Sequence, residues 1–122
     1  AFPTRRLVLV FQPHRYSRTR DLFDDFARVL AEQDMLVLLD IYPAGEAPIP
    51  GADGRSLARA VRDRAPRLSV LLAQNAAECL TLLPECVQAD DVLLFMGAGD
   101  IGGFPRQLQQ RYGMGAVSHG EA

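Results

Sequence analysis

Leu7-Val8-Leu9-Val10-Phe11-Gln12-Pro13-His14-Arg15-Tyr16-Ser17-Arg18-Thr19-Arg20 runs from an apolar stretch into a dense basic one. The apolar part shows no polar alternation, so it predicts a strand at 6–11 that is covered on both faces, as a central parallel strand is. Beyond Arg20, Leu22, Phe23, Phe26, Val29 and Leu30 recur at helical spacing and predict a helix with a core-facing stripe to about Gln33. Thr19 or Ser17 is its expected cap, with Asp21, Asp24 and Asp25 offsetting the dipole. His14, Arg15, Arg18 and Arg20 then crowd one strand-to-helix connection, the place where α/β proteins bind ligands. Cations there face the positive end of a helix dipole, at a few tenths of a kcal/mol each, unless an anion joins them. The stretch therefore reads as an anion-binding corner. Arg15 and Arg18 are three apart and fall on one face of a helical turn. A guanidinium fork meets a carboxylate or phosphate at two points, where lysine offers only a point charge. His14 adds a hydrogen bond in either protonation state.

Outward from that corner the pattern alternates. Leu36-Val37-Leu38-Leu39 predicts the second strand, ending at Asp40-Ile41-Tyr42. Pro43, Pro48 and Pro50 with Gly45, Gly51 and Gly54 exclude a regular element from the following loop, whose length in so small a domain marks a functional, ordered connection. Asp53 is the expected N-cap of a helix near 55–65, with Leu57, Ala60 and Val61 inward. Leu68–Leu72 predicts the third strand and 75–83 the third helix, with Pro84 either ending it or opening a short second piece. Asp91–Met96 predicts the fourth strand, Gly97-Ala98-Gly99-Asp100-Ile101-Gly102 a turn, and 103–112 a last helix. Residues 1–4 read as a linker remnant, 5–112 as the domain, and 113–122 as a tail with too little apolar surface for order. This βαβαβαβα order predicts an α/β fold, a doubly wound, Rossmann-like, mostly parallel sheet with helices on both faces in a single three-layer domain. An extra edge strand from the loop or the termini fits so small a sheet. His14 and Arg15, Asp40 and Tyr42, and Gly97–Gly102 then share the carboxyl edge of the sheet.

At 122 residues the chain fits one domain, and its 48% hydrophobic and 23% charged residues are ordinary for a globular protein. A formal net charge of −2 argues against a general nucleic-acid partner, so the basic cluster is local. No apolar run approaches the roughly 18 residues of a membrane span and no signal-peptide pattern opens the chain. A cytoplasmic protein with no membrane partner is the expectation. Cys79 and Cys86 are too few for a disulfide framework and read as small buried hydrophobes.

The remaining candidates divide. Gly97-x-Gly99-x-x-Gly102 matches a dinucleotide fingerprint, but it follows the last strand instead of the first and no ribose-binding acid can follow it, so a tight turn is the better reading than NAD binding. Asp40 could bind a ribose or a cation, or cap a loop. Glu46 reads as a loop-ordering or solvated carboxylate, not a catalyst. His119 has no partners in the tail, and neither a nucleophilic triad nor a metal-ligand spacing can be assembled.

The segments 11–22, 41–53 and 97–102, in that order and spacing, resemble the C-terminal domain of the Mur ligases, of the branch that joins L-alanine to UDP-N-acetylmuramic acid. The resemblance covers about 5–112. Ser17 stands where a threonine is common, Gly54 where a serine is common, and Asp100 where asparagine also occurs. It implies a cytoplasmic ligase of peptidoglycan precursor synthesis that uses ATP and magnesium to form an acyl phosphate, which the amine of L-alanine attacks. It also implies that His14, Arg15 and Arg18 contact anionic groups, the L-alanine carboxylate foremost, and that Asp40 and Tyr42 face the ATP side. The family's P-loop and UDP-sugar site belong to central and N-terminal domains that are not in this sequence. This chain alone is therefore expected to bind no cofactor and to lack ligase activity. The alternative class is a free-standing α/β module that binds a nucleotide or phosphorylated metabolite without chemistry; about 300 upstream residues with a P-loop in the gene would favour the ligase, and a start codon near Ala1 the module.

Overall fold

A computed structural model describes residues 6–88, 91–97 and 117–118. Five strands, β1 (Leu7–Gln12), β2 (Met35–Leu39), β3 (Ser69–Ala73), β4 (Val92–Gly97) and a short β5 (Val117–Ser118), form one sheet in the order β3-β2-β1-β4-β5. Every neighbouring pair is parallel, with Val10 between Val37 and Phe95 in the register. The central strands are apolar on both sides because both sides are covered. Leu9, Phe11, Leu36 and Leu38 pack against α2 (Phe23–Leu30) and α3 (Gly54–Arg64). Val8, Val10, Val37, Leu39, Leu93 and Phe95 pack against α4 (Ala76–Cys86). This is the doubly wound, three-layer α/β domain that the alternation implied. Each leucine so buried contributes roughly 1.5–3 kcal/mol. No helix among the described residues is long and apolar enough to cross a membrane.

Local chemistry accounts for most boundaries. Asp53 caps α3 by accepting from the Ser56 amide at 2.8 Å, and Asn75 caps α4 by accepting from the Glu78 amide at 2.9 Å. Cys79 lies in the core, where burial pushes its thiol up to about 12, and both cysteines are free.

Three expectations need correction. The single helix after β1 is two, α1 (Tyr16–Asp21) and α2, with Leu22 between them at φ −109°, ψ 17°. The turn re-aims the chain so that Phe26, Ala27 and Leu30 face the sheet, Phe26 meeting Phe11 edge-on at 5.4 Å. Ser17 and Thr19 therefore lie inside α1 and do not cap it. Pro84 neither ends nor opens a helix: α4 runs through it to Cys86. So close to the C-terminus, Pro84 removes only one donor, and the Val87 amide still reaches the Leu83 carbonyl at 3.0 Å. Val117–Ser118, read as tail, supplies the extra edge strand, pairing with Leu94 and Phe95. The expected helix at 103–112, the linker at 1–4 and the rest of the tail lie outside the described residues.

The amino edge of the sheet is tied by Arg6. Its guanidinium grips Asp91 at 2.6 and 3.1 Å and the Cys86 carbonyl at 2.9 Å, joining the starts of β1 and β4 to the end of α4. Asp91 is nearly buried, and the Arg6 fork holds its carboxyl below the usual carboxylate range. Nearby, the Leu7 amide donates to Asp34 at 2.8 Å.

Candidate functional site

At the carboxyl edge, β1 and β2 are prolonged by a bridge between His14 and Tyr42. The Tyr42 amide donates to the Pro13 carbonyl at 2.9 Å and the Arg15 amide to the Tyr42 carbonyl at 2.8 Å. Their rings stack, centroids 5.7 Å apart and 16° from parallel. This pairing holds Arg15 at φ 72°, ψ 141°, in backbone space that side-chain-bearing residues avoid at a cost of order 1–3 kcal/mol. The Arg15 carbonyl is fixed in turn by Thr19, whose buried hydroxyl donates to it at 2.8 Å and whose amide does so at 3.2 Å. Side-chain direction at the corner is thus set by backbone bonds on both sides of Arg15.

His14, Arg15 and Arg18 line one open hollow of about 480 Å³ with Ser17, Asp21 and Leu22. Arg15 is exposed, while His14 and Arg18 are half-buried. Among the described residues neither Arg15 nor Arg18 makes an ion pair, whereas the neighbouring Arg20 is joined to Asp21 at 3.0 Å. Two guanidinium forks with no ion pair among the described residues thus line one hollow, and a fork of this kind can meet a carboxylate or a phosphate at two points.

The dipole argument changes in detail. Because α1 spans only Tyr16–Asp21, Arg18 and Arg20 occupy its last turn, where the dipole favours cations. Its amino end is served by the chain itself. Glu46, from the proline-rich loop, accepts from the Ser17 amide at 3.0 Å and from the Ser17 hydroxyl at 2.6 Å. The Ser17 hydroxyl and amide hold the Glu46 carboxyl below its ordinary range. Arg15, at the cap position, makes no side-chain cap bond.

Asp40 is set apart from the arginines. It lines a second, polar hollow of about 430 Å³ with Asp53, Arg55, Leu72, Gln74 and Asn75. One of its oxygens accepts from the Ile41 amide at 2.8 Å and from the Gly54 amide at 3.0 Å, pinning together the two ends of the proline-rich loop. Gly54 is fitted to that clamp, since a Cβ there would stand 3.0 Å from the carboxylate and 3.1 Å from the Asp40 Cα. Burial, followed by the charges of Asp40 and Asp53, pushes the Tyr16 phenol up. Among the described residues no group of three His, Cys, Asp or Glu side chains can hold a metal ion. Gly97 closes β4 opposite Gln12 with φ 132°, which requires glycine; Gly99 and Gly102 lie outside the described residues.

One residue of this edge was not singled out by its sequence, and the reach of another was not foreseen. Glu46 was read as loop-ordering, and the helix it orders lies 29 residues away. Gln12 is buried where the strand order reverses between β1 and β4; its amide nitrogen donates to the Asp40 carbonyl at 3.4 Å, and its oxygen has no partner among the described residues. The signal for Gln12 was present: a polar residue ending an otherwise apolar central strand.

A family model described as "Mur ligase, glutamate ligase domain" matches residues 1–99. The chain belongs to the Mur ligase family. Relatives within that family carry the name UDP-N-acetylmuramate–L-alanine ligase. The protein of Thiobacillus denitrificans is 60% identical over 111 residues, covering 91% of this chain and 24% of the relative. That of Methylococcus capsulatus is 52% identical over 117 residues, 96% of this chain and 25% of the relative. That of Halorhodospira halophila is 60% identical over 108 residues, 88% and 22%. The chain thus spans about a quarter of the length of the Mur ligases it matches.

Proposed function

We propose that this chain is the C-terminal domain of an ATP-dependent ligase that joins L-alanine to UDP-N-acetylmuramic acid in cytoplasmic peptidoglycan precursor synthesis. In that reading it closes over an active site whose N-terminal and central domains it lacks. The supporting observation is the pair Arg15 and Arg18, two guanidinium groups that line one hollow with no carboxylate paired to either among the described residues. The relatives' name supplies a substrate with a free carboxylate, L-alanine.

The part assigned to this chain is positional. Arg15 and Arg18 take the amino-acid carboxylate, His14 adds a hydrogen bond, and the amine is left pointing away from the cations toward the activated sugar acid. Fixing an amine this way turns a bimolecular encounter into an effectively unimolecular one. ATP with magnesium supplies the activation of the acid in the complete ligase. In this reading the residues that hold ATP and magnesium belong to the other domains. In the same reading Asp40 and Tyr42 take the nucleotide side of the rim; Tyr42 stacks on His14, and Asp40 holds the two ends of the loop that leads to α3.

In the full-length ligase, Arg15→Ala and Arg18→Ala are each expected to raise the KM for L-alanine by about tenfold or more, leaving that for the UDP-sugar unchanged. A normal KM for L-alanine in both would remove them from the site. The 122-residue chain alone is expected to show no alanine-dependent ATP hydrolysis.

A further inference from the structure

We infer that Glu46 is a positioning residue for the amino-acid carboxylate: from the proline-rich loop it fixes the start of α1, and with it Arg15 and Arg18, in the geometry that receives the substrate. The inference rests on the reading of the arginine hollow given above. The two eleven-residue helices, α3 and α4, take their cap from the adjoining residue, Asp53 or Asn75, and α2 has no side-chain cap bond. The six-residue α1 has no such cap, and a helix that short is not stable by itself. What holds it is an arm formed by 42–46. One end of the arm is the Tyr42 carbonyl on the Arg15 amide, and the other is the Glu46 carboxylate on the amide and hydroxyl of Ser17. A turn from the Pro43 carbonyl to the Glu46 amide, 3.0 Å, sets the spacing between the two ends. Arg15 and Ser17 are thus gripped on either side of Tyr16, and Arg18 follows directly on the same turn.

The direction in which Glu46 points matters as much as its bonds. It is a carboxylate close enough to Arg15 to be felt electrostatically, yet it makes no ion pair with it. Both of its oxygens are directed at Ser17. Had it turned to Arg15 instead, an incoming carboxylate would have to displace it. Spending both oxygens on Ser17 satisfies the amino end of α1 with an internal anion and leaves the guanidinium groups for the external one. Ser17 is therefore the receiver of the latch, and a hydroxyl there is the feature to preserve.

The test is steady-state kinetics of the full-length ligase with Glu46→Ala, Glu46→Gln, Ser17→Ala, Ser17→Thr, Arg15→Ala and Arg18→Ala. Glu46→Ala is expected to raise the KM for L-alanine about tenfold, with kcat changed by less than about threefold and the KM for the UDP-sugar unchanged. Ser17→Ala, which keeps the amide bond, is expected to shift it less, and Ser17→Thr is expected to behave as wild type. Glu46→Ala combined with Arg15→Ala should fall short of the product of the two single effects, because both act on one site. If Arg15→Ala raises the KM for L-alanine and Glu46→Ala does not, the positioning role is wrong while the site stands. If Arg15→Ala and Arg18→Ala also leave it unchanged, the site reading fails and takes the inference with it. A uniform loss for all substrates in both Glu46→Ala and Glu46→Gln would mark a purely structural cap and overturn the inference as well.

Discussion

The two edges of one sheet treat arginine in opposite ways. At the amino edge, Arg6 is paired at two points with a nearly buried Asp91 and also bonds the Cys86 carbonyl. At the carboxyl edge, Arg15 and Arg18 have no carboxylate partner among the described residues, and Arg15 sits in strained backbone to face its hollow. The first edge closes the fold, and its arginine contributes through a satisfied fork. At the second, stability is given up to leave charge unpaired. The contrast separates an arginine that ties the domain together from arginines that, in the function proposed above, receive a substrate carboxylate, even though both flank the same strand.

The largest expected effect that would break this contrast is at the closed edge. Arg6→Ala leaves a nearly buried carboxylate without its fork and is expected to destabilise the chain by about 2–3 kcal/mol in urea unfolding. Loss of under about 0.5 kcal/mol, the range of an ordinary exposed pair, would show that the two edges do not differ in this way. At the open edge the sign should reverse. Arg15→Gly relieves the left-handed backbone and is expected to raise stability by up to about 1 kcal/mol while weakening use of L-alanine by the full-length ligase. A destabilising Arg15→Gly would show that its side chain holds the fold after all.

The smallest effect is in the acid limb. Asp91, Glu46 and Asp53 all titrate below the ordinary carboxylate range, held down chiefly by Arg6, Ser17 and Ser56 respectively. A group whose folded pKa is depressed adds stability above its unfolded value, about 4, and loses that stability as pH falls through the folded value. Stability should therefore be flat near neutrality and decline below about pH 4, with a shallower decline in Asp91→Asn. An unchanged acid limb in that variant would mean that Asp91 carries none of it.

The elements that sequence revealed are those whose cause is local. The β1 and β2 runs are apolar on both faces because two helical layers cover them, and the Asp53 cap bonds a residue three positions on. The basic corner was visible because its charges are contiguous. What was not legible depends on distance along the chain. The Arg6–Asp91 fork spans 85 residues and the Glu46–Ser17 latch 29, and no spacing rule reaches either. The break at Leu22 had no glycine or proline to announce it, and Thr19 looked like a cap because its bond to the Arg15 carbonyl is made from inside a helix. Asp40 could be read as a ligand or as a loop cap; the structure gives its carboxylate to both ends of the loop.

That clamp has a consequence for how the domain can vary. With Asp40 joining the Ile41 and Gly54 amides, the intervening segment is a closed Ω-loop whose ends are set independently of its contents. Lengthening such a loop is entropically mild, about 0.6 kcal/mol for each doubling. The hydrogen bonds described above from the loop to α1 end at Glu46, and the exposed Ala47–Pro48 junction is therefore where added residues are expected to be tolerated, and with them a tag or a graft. Between Pro43 and Glu46 the same insertion would shift the carboxylate off Ser17. One loop thus holds both a permissive stretch and a forbidden one, with Glu46 as the boundary.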